Sequence, residues 1–457
     1  MKTTNKQLNE TSTDLLEITY ESAYSLKPYK NNPRSHTKKQ IQQVANSIEE
    51  FGFVSPILID ESKGIIAGHG RLEAAKLLGM NTVPCVLLSV MTEAQKRAYI
   101  IADNRLAEIA GWDQELLAIE LQSLIDLDFE VELTGFETPQ IDLIIASPGS
   151  VTISDENTFD PPDPDLPPVT QLGDMWQLGR HTLFCGDATK DDSYKQLLGN
   201  KKAQMVFTDP PYNVTINNHV CGKGKIQHRE FAMASGEMSE AEFTQFLNKT
   251  ATLMCRHSQA GSLHFICMDW RHMSELLNAT EPVYSDLKNL CIWNKDNGGM
   301  GSLYRSKHEL VFLFKNGEAP HINNIELGKH GRYRTNVWDY PGVNSFKTNL
   351  EESLALHPTV KPIELVADAI MDCSKTRGLI LDPFGGSGTT LLAAEKTNRT
   401  AALMELDPHY CDVIINRYQS MTQDHALHVG SKQTFEQIAF QHEKPIDSIG
   451  LELETGQ

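Results

Sequence analysis

The chain has 457 residues, 40% of them apolar and 22% charged, with 30 Gly and 21 Pro, a globular composition too long for one core. It excludes collagenous, coiled-coil and wholly disordered chains. The net charge of −19 argues against a polyanionic partner, but its distribution is uneven: residues 1–150 sum to −8, 151–170 to −5, 171–350 to +2 and 351–457 to −8, so only the third segment can present a basic groove.

In chain order, Ile41, Val44, Ala45 and Ile48 recur at helical spacing and predict an amphipathic helix ending near Gly52. Ile57–Ile59 and Ile65–Ala67, separated by turn residues, predict a hairpin. Gly68-His69-Gly70-Arg71 leads into a helix carrying Leu72, Ala75 and Leu78, and Val83–Val90 reads as a further strand. Two more helices are expected, one capped by Thr92 and running to about Ala110, one capped by Asp113 with Leu117, Leu121 and Leu124 on one face. Residues 1–146 thus read as a small α+β domain with a helical tail.

Residues 147–170 hold six prolines and five acids without one base, an extended, self-repelling linker. Beyond it, apolar runs of strand length alternate with helical patterns. Met205–Phe207 and Leu379–Leu381 are buried-strand candidates. Lys361–Ser374, Gly388–Thr397 and Pro408–Tyr418 read as helices, and Thr400–Glu405 as a strand. The fold class is α/β: a doubly wound parallel sheet covered on both faces over residues 171–422, behind the small α+β domain. Residues 423–457 read as a polar tail. No apolar stretch approaches the roughly 18 residues of a membrane span, and the polar start lacks a signal-peptide core, which predicts a cytoplasmic protein with no membrane contact. The eight cysteines form no CxxC pair and no zinc ladder, which predicts reduced thiols and no metal.

Two loops carry the chemistry. The strand ending at Leu381 opens into Asp382-Pro383-Phe384-Gly385-Gly386-Ser387-Gly388-Thr389-Thr390. Glycines there let the backbone turn tightly and approach a nucleotide-like cofactor at a helix N-terminus. Glu405, at the end of the next strand, lies near the offset at which an acid accepts ribose hydroxyls. No Lys follows the glycines, which disfavours a phosphate loop. The other strand opens into Asp209-Pro210-Pro211-Tyr212: a carboxylate and a peptide carbonyl held by two prolines are paired acceptors for a primary amine, and Tyr212 offers a stacking surface. Hydrogen bonds from both amine hydrogens to such acceptors favour a pyramidal, reactive nitrogen on a base already out of its stack. Either loop alone is compatible with a structural turn. A third feature, His357-Pro358-Thr359-Val360-Lys361-Pro362, supplies a cation, Lys361, beside the glycine strand.

Together these motifs resemble the amino-directed DNA methyltransferases that use S-adenosylmethionine, over about 171–420. DPPY resembles the catalytic motif, DPFGGSGTT the cofactor loop, HPTVKP the carboxylate-side motif and Cys185-Gly186-Asp187-Ala188 the short element whose Asp faces the cofactor adenine. The resemblance implies S-adenosylmethionine binding by Asp187, Lys361, Asp382, Phe384, Gly385, Gly386, Ser387, Gly388 and Glu405, and base binding by Asp209, Pro210, Pro211 and Tyr212. Catalytic motif before cofactor motif is the family's permuted β-class order. Family position makes about 213–350 the target-recognition region, with Arg305, Lys307, Arg332 and Arg334 toward double-stranded DNA and a mobile loop at Gly222-Lys223-Gly224-Lys225.

Residues 24–110 resemble the ParB-like domain, on Lys27-Pro28-Tyr29, Asn32-Pro33-Arg34 and the motif of Gly68, His69 and Arg71. That motif is poorer in Arg than in nucleotide-binding members, so recruitment or DNA positioning is expected of it. The expected activity is site-specific methylation of an exocyclic amine. Adenine N6 is preferred because Asp in the first motif position is commoner among adenine enzymes, with cytosine N4 open, since the acceptors serve either amine. A ParB-like regulator with a non-catalytic second half is the alternative from another class. No endonuclease signature is present, which predicts a modification enzyme, and the oligomeric state is left open, a homodimer included.

Overall fold

The computed structural model describes residues 17–89, 91–109, 111–146, 166–213, 236–296, 298, 303–326, 333–342 and 361–443. Two units separate: Met1–Glu137 with Ile144–Ser150, and Thr138–Leu143 with Val151–Gln457.

In the first unit, strands β1 (Ile18–Ser22), β2 (Ile57–Ile59), β3 (Ile65–Ala67) and β4 (Thr82–Leu87) form one sheet in the order β1-β4-β2-β3. The hairpin is present: β2 and β3 are antiparallel, and Asp60 closes their turn by accepting from the backbone amides of Ser62 and Gly64 at 2.9 and 2.8 Å. Helix α1 (Lys38–Phe51) starts at a Thr37 cap and ends at Gly52, whose φ of 79° lies in the left-handed region. Helix α2 (His69–Leu77) buries Leu72 and Ala75 against Ile57, Ile65 and Val83. Helices α3 (Glu93–Ile109) and α4 (Gln114–Asp126) match the two expected helices, α4 being capped by Asp113 and burying Leu121 and Ile125. Strand β1 was missed by the periodicity; four of its five residues are exposed, so it carries little apolar signal.

Helix α5 (Thr138–Ile145) was also unforeseen, and Thr138–Leu143 belong to the second unit rather than to a domain ending at 146. The reason is electrostatic. Arg399, fully buried, donates to both oxygens of Asp142 at 2.6 and 3.0 Å, and to Ser374 and the Thr397 carbonyl. A buried guanidinium needs a carboxylate, and α5 provides it.

The second unit is built on a ten-stranded sheet of β5 (Met175–Leu178), β6 (His181–Cys185), β7 (Ala203–Thr208), β8 (Ser258–Met268), β9 (Asp286–Asn294), β10 (His308–Lys315), β11 (Val337–Asp339), β12 (Leu379–Asp382), β13 (Thr400–Glu405) and β14 (Leu427–His428). Its order is β11-β9-β10-β8-β7-β12-β13-β6-β5-β14. The parallel core is β8-β7-β12-β13-β6, and its flanks add antiparallel pairs, β10 on β8, β9 on β10, β5 on β6 and β14 on β5, with β11 parallel to β9 at one edge. The expected parallel sheet is present as this core, and the whole sheet is mixed. Helices α6 (Asp191–Leu198), α7 (Glu240–Arg256) and α8 (Met273–Thr280) pack one face through Tyr194, Phe243 and Leu276. The other face is covered by α9 (Ile363–Cys373), α10 (Thr389–Lys396) and α11 (Pro408–Thr422) through Val366, Leu391 and Ile414. This is the doubly wound arrangement.

Two boundaries are corrected. The interval 213–350, read as mostly target recognition, supplies four strands of the sheet, β8 to β11. Part of the supposed tail is structured: β14 pairs with β5, and helix α12 (Phe435–Glu443) sets the buried Phe435 against Trp176, ring centroids 5.5 Å apart. A single buried aromatic among polar residues gave no periodic pattern.

Candidate active site

The backbone leaves β7 toward β8 and leaves β12 toward β13, in opposite directions along the sheet, so the crevice between β7 and β12 is a topological switch point. Both chemical loops open there, Asp209-Pro210-Pro211-Tyr212 after β7 and Asp382 through Gly388 after β12. The ends of β13 and β6 set Glu405 and Asp187 along the same edge.

Asp382 ties the two loops together. Its Oδ1 accepts from Thr208 of β7 at 2.8 Å and from the Phe384 amide at 3.1 Å, and its Oδ2 from Thr390 of α10 at 2.7 Å. Burial pushes its carboxyl up to about 7 against the pull of those donors. This acid, expected at the cofactor, has both oxygens engaged by protein and so also ties the loop to β7 and α10. Gly388, at φ 84°, starts α10 so close to Ile414 that a Cβ would lie 3.0 Å from two of its carbons. Gly385 donates its amide to the Met404 carbonyl at 2.8 Å. Gly386 donates its own to Glu405 Oε2 at 2.8 Å. Ser387 is buried, its carbonyl accepting from Arg417 at 2.6 Å, and the half-buried Phe384 meets Phe246 with centroids 5.8 Å apart.

Glu405 accepts through Oε1 from the Asp407 amide at 2.9 Å. Burial pushes it up to about 7, tempered by the amides of Asp407 and Gly386. Asp187 accepts from the amide and hydroxyl of Thr189, both at 2.8 Å. Burial would raise it, but those bonds and Lys190 hold it below the usual carboxylate range.

Asp209 and Tyr212 are joined directly, the phenol donating to Asp209 Oδ1. Lys361 is not free to face a cofactor carboxylate, as expected of it. Its ammonium, 5% exposed, donates to Asp209 Oδ2 and lies 3.1 Å from Glu309 Oε2 and 5.8 Å from the Tyr212 ring centre. Burial would lower the Lys361 ammonium, but the Asp209 and Glu309 carboxylates outweigh it and hold it charged. Burial presses the other way on Asp209 and raises it despite Lys361. Glu309 was missed by the sequence reading, since one acid at the start of β10 has no motif to announce it. Lys295 also binds it, and against its burial Lys361 and Lys295 hold it down to about 2. Asn213, also unforeseen, anchors the DPPY loop: its side chain donates to the Met238 carbonyl at 2.8 Å and accepts from the amides of Gly236 and Met238.

The expected DNA-facing cations divide. Arg305 and Lys307 are exposed between β9 and β10, beside the exposed Tyr304. Because His308 pairs with Asn294 and Leu310 with Met268, that turn lies at the same sheet edge as the DPPY loop. Arg334 does not belong with them. It is tied to Asp368 and Asp372 of α9 at 3.0 and 2.9 Å and stacks on Trp338, which neutralises its charge and leaves it only partly exposed. Arg332, Gly222 to Lys225 and His357 to Val360 lie outside the described residues.

In the first unit, Arg71 donates to the Ser55 carbonyl at 2.7 Å and to its hydroxyl, and His69 Nε2 accepts from the Tyr29 amide at 3.1 Å. Gly68 has a φ of 103°, and at Gly70 the His36 ring lies 3.2 Å from where a Cβ would be. Arg71 borders a cleft of about 340 Å³ lined by α1, Phe53–Ser55 and Leu133–Gly135.

A DNA methylase family matches residues 203–417, the ParB N-terminal domain residues 4–104, and a ParB-methyltransferase HTH domain residues 115–172. The chain carries an N6/N4 DNA methylase domain behind a ParB N-terminal domain. The HTH match takes in α4 and α5, which the sequence reading had as a plain helical tail. The ParB-like nuclease domain-containing protein YnaK of Escherichia coli is 46% identical over 82 residues, 18% of this chain and 94% of that protein. Type II methyltransferase M2.MboI of Moraxella bovis is 29% identical over 225 residues, 48% of this chain and 81% of that protein. Among solved structures, the cytosine-N4-specific PvuII DNA methyltransferase aligns over 58% of this chain and 92% of that one, with a TM-score of 0.41 and 16% identity. Among the described residues of the methylase and ParB domains, no group of His, Cys, Asp and Glu could hold a metal ion, and no helix is long and apolar enough to cross a membrane.

Proposed function

We propose that this protein is a site-specific DNA methyltransferase that moves the methyl group of S-adenosylmethionine to the exocyclic amine of an extruded base, adenine N6 by preference. The observation that carries the reading is the meeting of Asp209 and the Asp382–Gly388 loop on adjacent strand ends at the switch point. The donor set suits the cofactor: the glycine loop gives close backbone approach, and Glu405 and Asp187 are acceptors for ribose and adenine at neighbouring strand ends. When bound, S-adenosylmethionine supplies an electrophilic methyl group on a sulfonium.

The chain's own residues do the rest. Asp209 Oδ2 and the Pro210 carbonyl accept the two amine hydrogens, which localises the nitrogen lone pair, and Tyr212 covers the base. After transfer the nitrogen carries a positive charge and must lose a proton. Asp209, with its proton affinity raised by burial, is placed to take it and release it to solvent. The Asp at position 209 is the ground for preferring adenine. Arg305 and Lys307 at the site's edge, together with the HTH segment, are the proposed contacts to double-stranded DNA.

The test is incubation of the purified protein with unmethylated DNA and labelled S-adenosylmethionine, then identification of the nucleoside by mass spectrometry. N6-methyladenine is expected, and Asp209→Ala should lose transfer by about 10²–10⁴-fold while still binding the cofactor. N4-methylcytosine would keep the mechanism and change the substrate; no methylated nucleoside from a cofactor-binding protein would overturn the reading.

A further inference from the structure

The pairing of Lys361 with Asp209 raises a mechanical problem for the proposed reaction. The incoming amine needs the Asp209 oxygen that the Lys361 ammonium already holds. An ammonium that is 5% exposed cannot simply be left without a counter-charge when the base arrives. Glu309 offers the answer. Its Oε1 is bound by Lys295, whereas its Oε2 is buried, accepts no hydrogen bond among the described residues, and lies 3.1 Å from Lys361 Nζ in an ion pair that is not aligned as a hydrogen bond.

We propose that Glu309 is a positioning residue for methyl transfer: Lys361 stands in for the substrate amine on Asp209 and, when the base enters, moves its hydrogen bond to Glu309 Oε2. This rests on the methyltransferase reading above. The exchange keeps one ammonium between two carboxylates throughout, so the site trades one amine for another at Asp209 without exposing a naked charge. Lys295 offsets the second acid, and the four groups Asp209, Lys361, Glu309 and Lys295 alternate in sign and sum to zero. No covalent step is involved. Glu309 touches neither base nor cofactor; it acts through Lys361.

The test uses the full-length protein, unmethylated genomic DNA and labelled S-adenosylmethionine, reading KM for DNA, kcat and cofactor affinity separately. Glu309→Gln should raise KM for DNA at least tenfold, because base entry then leaves the ammonium unpaired, while cofactor affinity stays within twofold. Glu309→Asp should recover part of the loss. Adding Lys361→Met to Glu309→Gln should return KM for DNA toward the wild-type value with kcat still low, since the stranded charge is gone. A purely structural role for Glu309 predicts no such rescue. Should Glu309→Gln fail to fold, Lys361→Met alone decides: it should lower kcat without raising KM for DNA. An unchanged KM in Glu309→Gln, an unrescued double variant, or a tenfold rise in Lys361→Met would each overturn the exchange. A wild-type protein that transfers no methyl group refutes instead the reading of function, and equilibrium DNA binding by the same variants then judges the exchange, with the same directions expected.

Discussion

Replacing Gly388 by Ala tests whether the glycine loop is shaped for a ligand or merely spans a turn. The residue sits at φ 84°, and a methyl group there would lie 3.0 Å from Cγ1 and Cγ2 of Ile414 and 3.3 Å from its Cβ. The left-handed conformation costs an alanine about 1–2 kcal/mol. Overpacking against the buried Ile414 adds about 1–3 kcal/mol, and the stiffer unfolded chain returns about 0.4–1 kcal/mol. The net is about 1–5 kcal/mol, which for a unit of this size lowers Tm by about 2–7 °C. The loop can relieve part of this by moving, but the movement displaces the Gly385 and Gly386 amides that hold it against Met404 and Glu405, so affinity for S-adenosylmethionine should fall at least tenfold. Calorimetric titration with the cofactor and thermal unfolding read the two consequences independently. In a double-mutant cycle with Ile414→Ala, the paired variant should be less destabilised than the sum of the single ones by the overpacking contribution, about 1–3 kcal/mol. Wild-type affinity and an unchanged Tm for Gly388→Ala would refute the reasoning at its geometric root.

Asp142→Asn should destabilise the second unit by about 3–5 kcal/mol in denaturant unfolding, because it strips the counter-charge from a fully buried Arg399; a loss under about 1 kcal/mol would mean that α5 is not integral to that unit. Burial pushes Glu405 up to about 7, and in its proposed role it accepts ribose hydroxyls best when ionised, so cofactor affinity should weaken as pH falls from 8 to 6, and Glu405→Gln should flatten that dependence. His264, buried between Ser262 and Tyr284, is pushed by burial down to about 3. Its folded form stays neutral where the unfolded form takes a proton, so it adds stability above about pH 6.5 that is lost as pH falls toward 3, and His264→Asn should reduce the acid slope of unfolding by one proton. An unchanged slope would show that His264 is protonated in the fold.

Much of this was legible in the sequence because it is local. A short apolar run followed closely by Pro or Gly announces a buried strand with a loop at its end, and that alone located β7, β12 and β13. Helical periodicity found α9, α10 and α11 to within a few residues. What failed depends on distant partners. Strands β8 to β10 were swallowed by a supposed recognition region because pairing with distant strands leaves no mark in local spacing. Arg334 looked like a DNA contact because composition registers a cation but not the carboxylates of Asp368 and Asp372 that neutralise it. Lys361 was placed near the glycine loop, correctly along the chain, but its pairing with Asp209 spans 152 positions, and only the fold brings the two together.

The same limit explains why the acids at the site's edge looked alike in sequence and differ in the structure. Four strand ends deliver Asp209, Asp382, Glu405 and Asp187 to one edge, and like charges so close must be neutralised or protonated. Asp382 is met by two threonine hydroxyls and an amide, Asp187 by a threonine and a lysine, and Glu405 by two backbone amides. Those of Asp382 and Glu405 are backbone amides and short side chains fixed by the fold. Asp209 alone is held by the tip of a long side chain that has a second carboxylate within reach. An acid whose partner can step aside without losing its own counter-charge is the one able to accept a new amine, and under the proposed function that acid is Asp209.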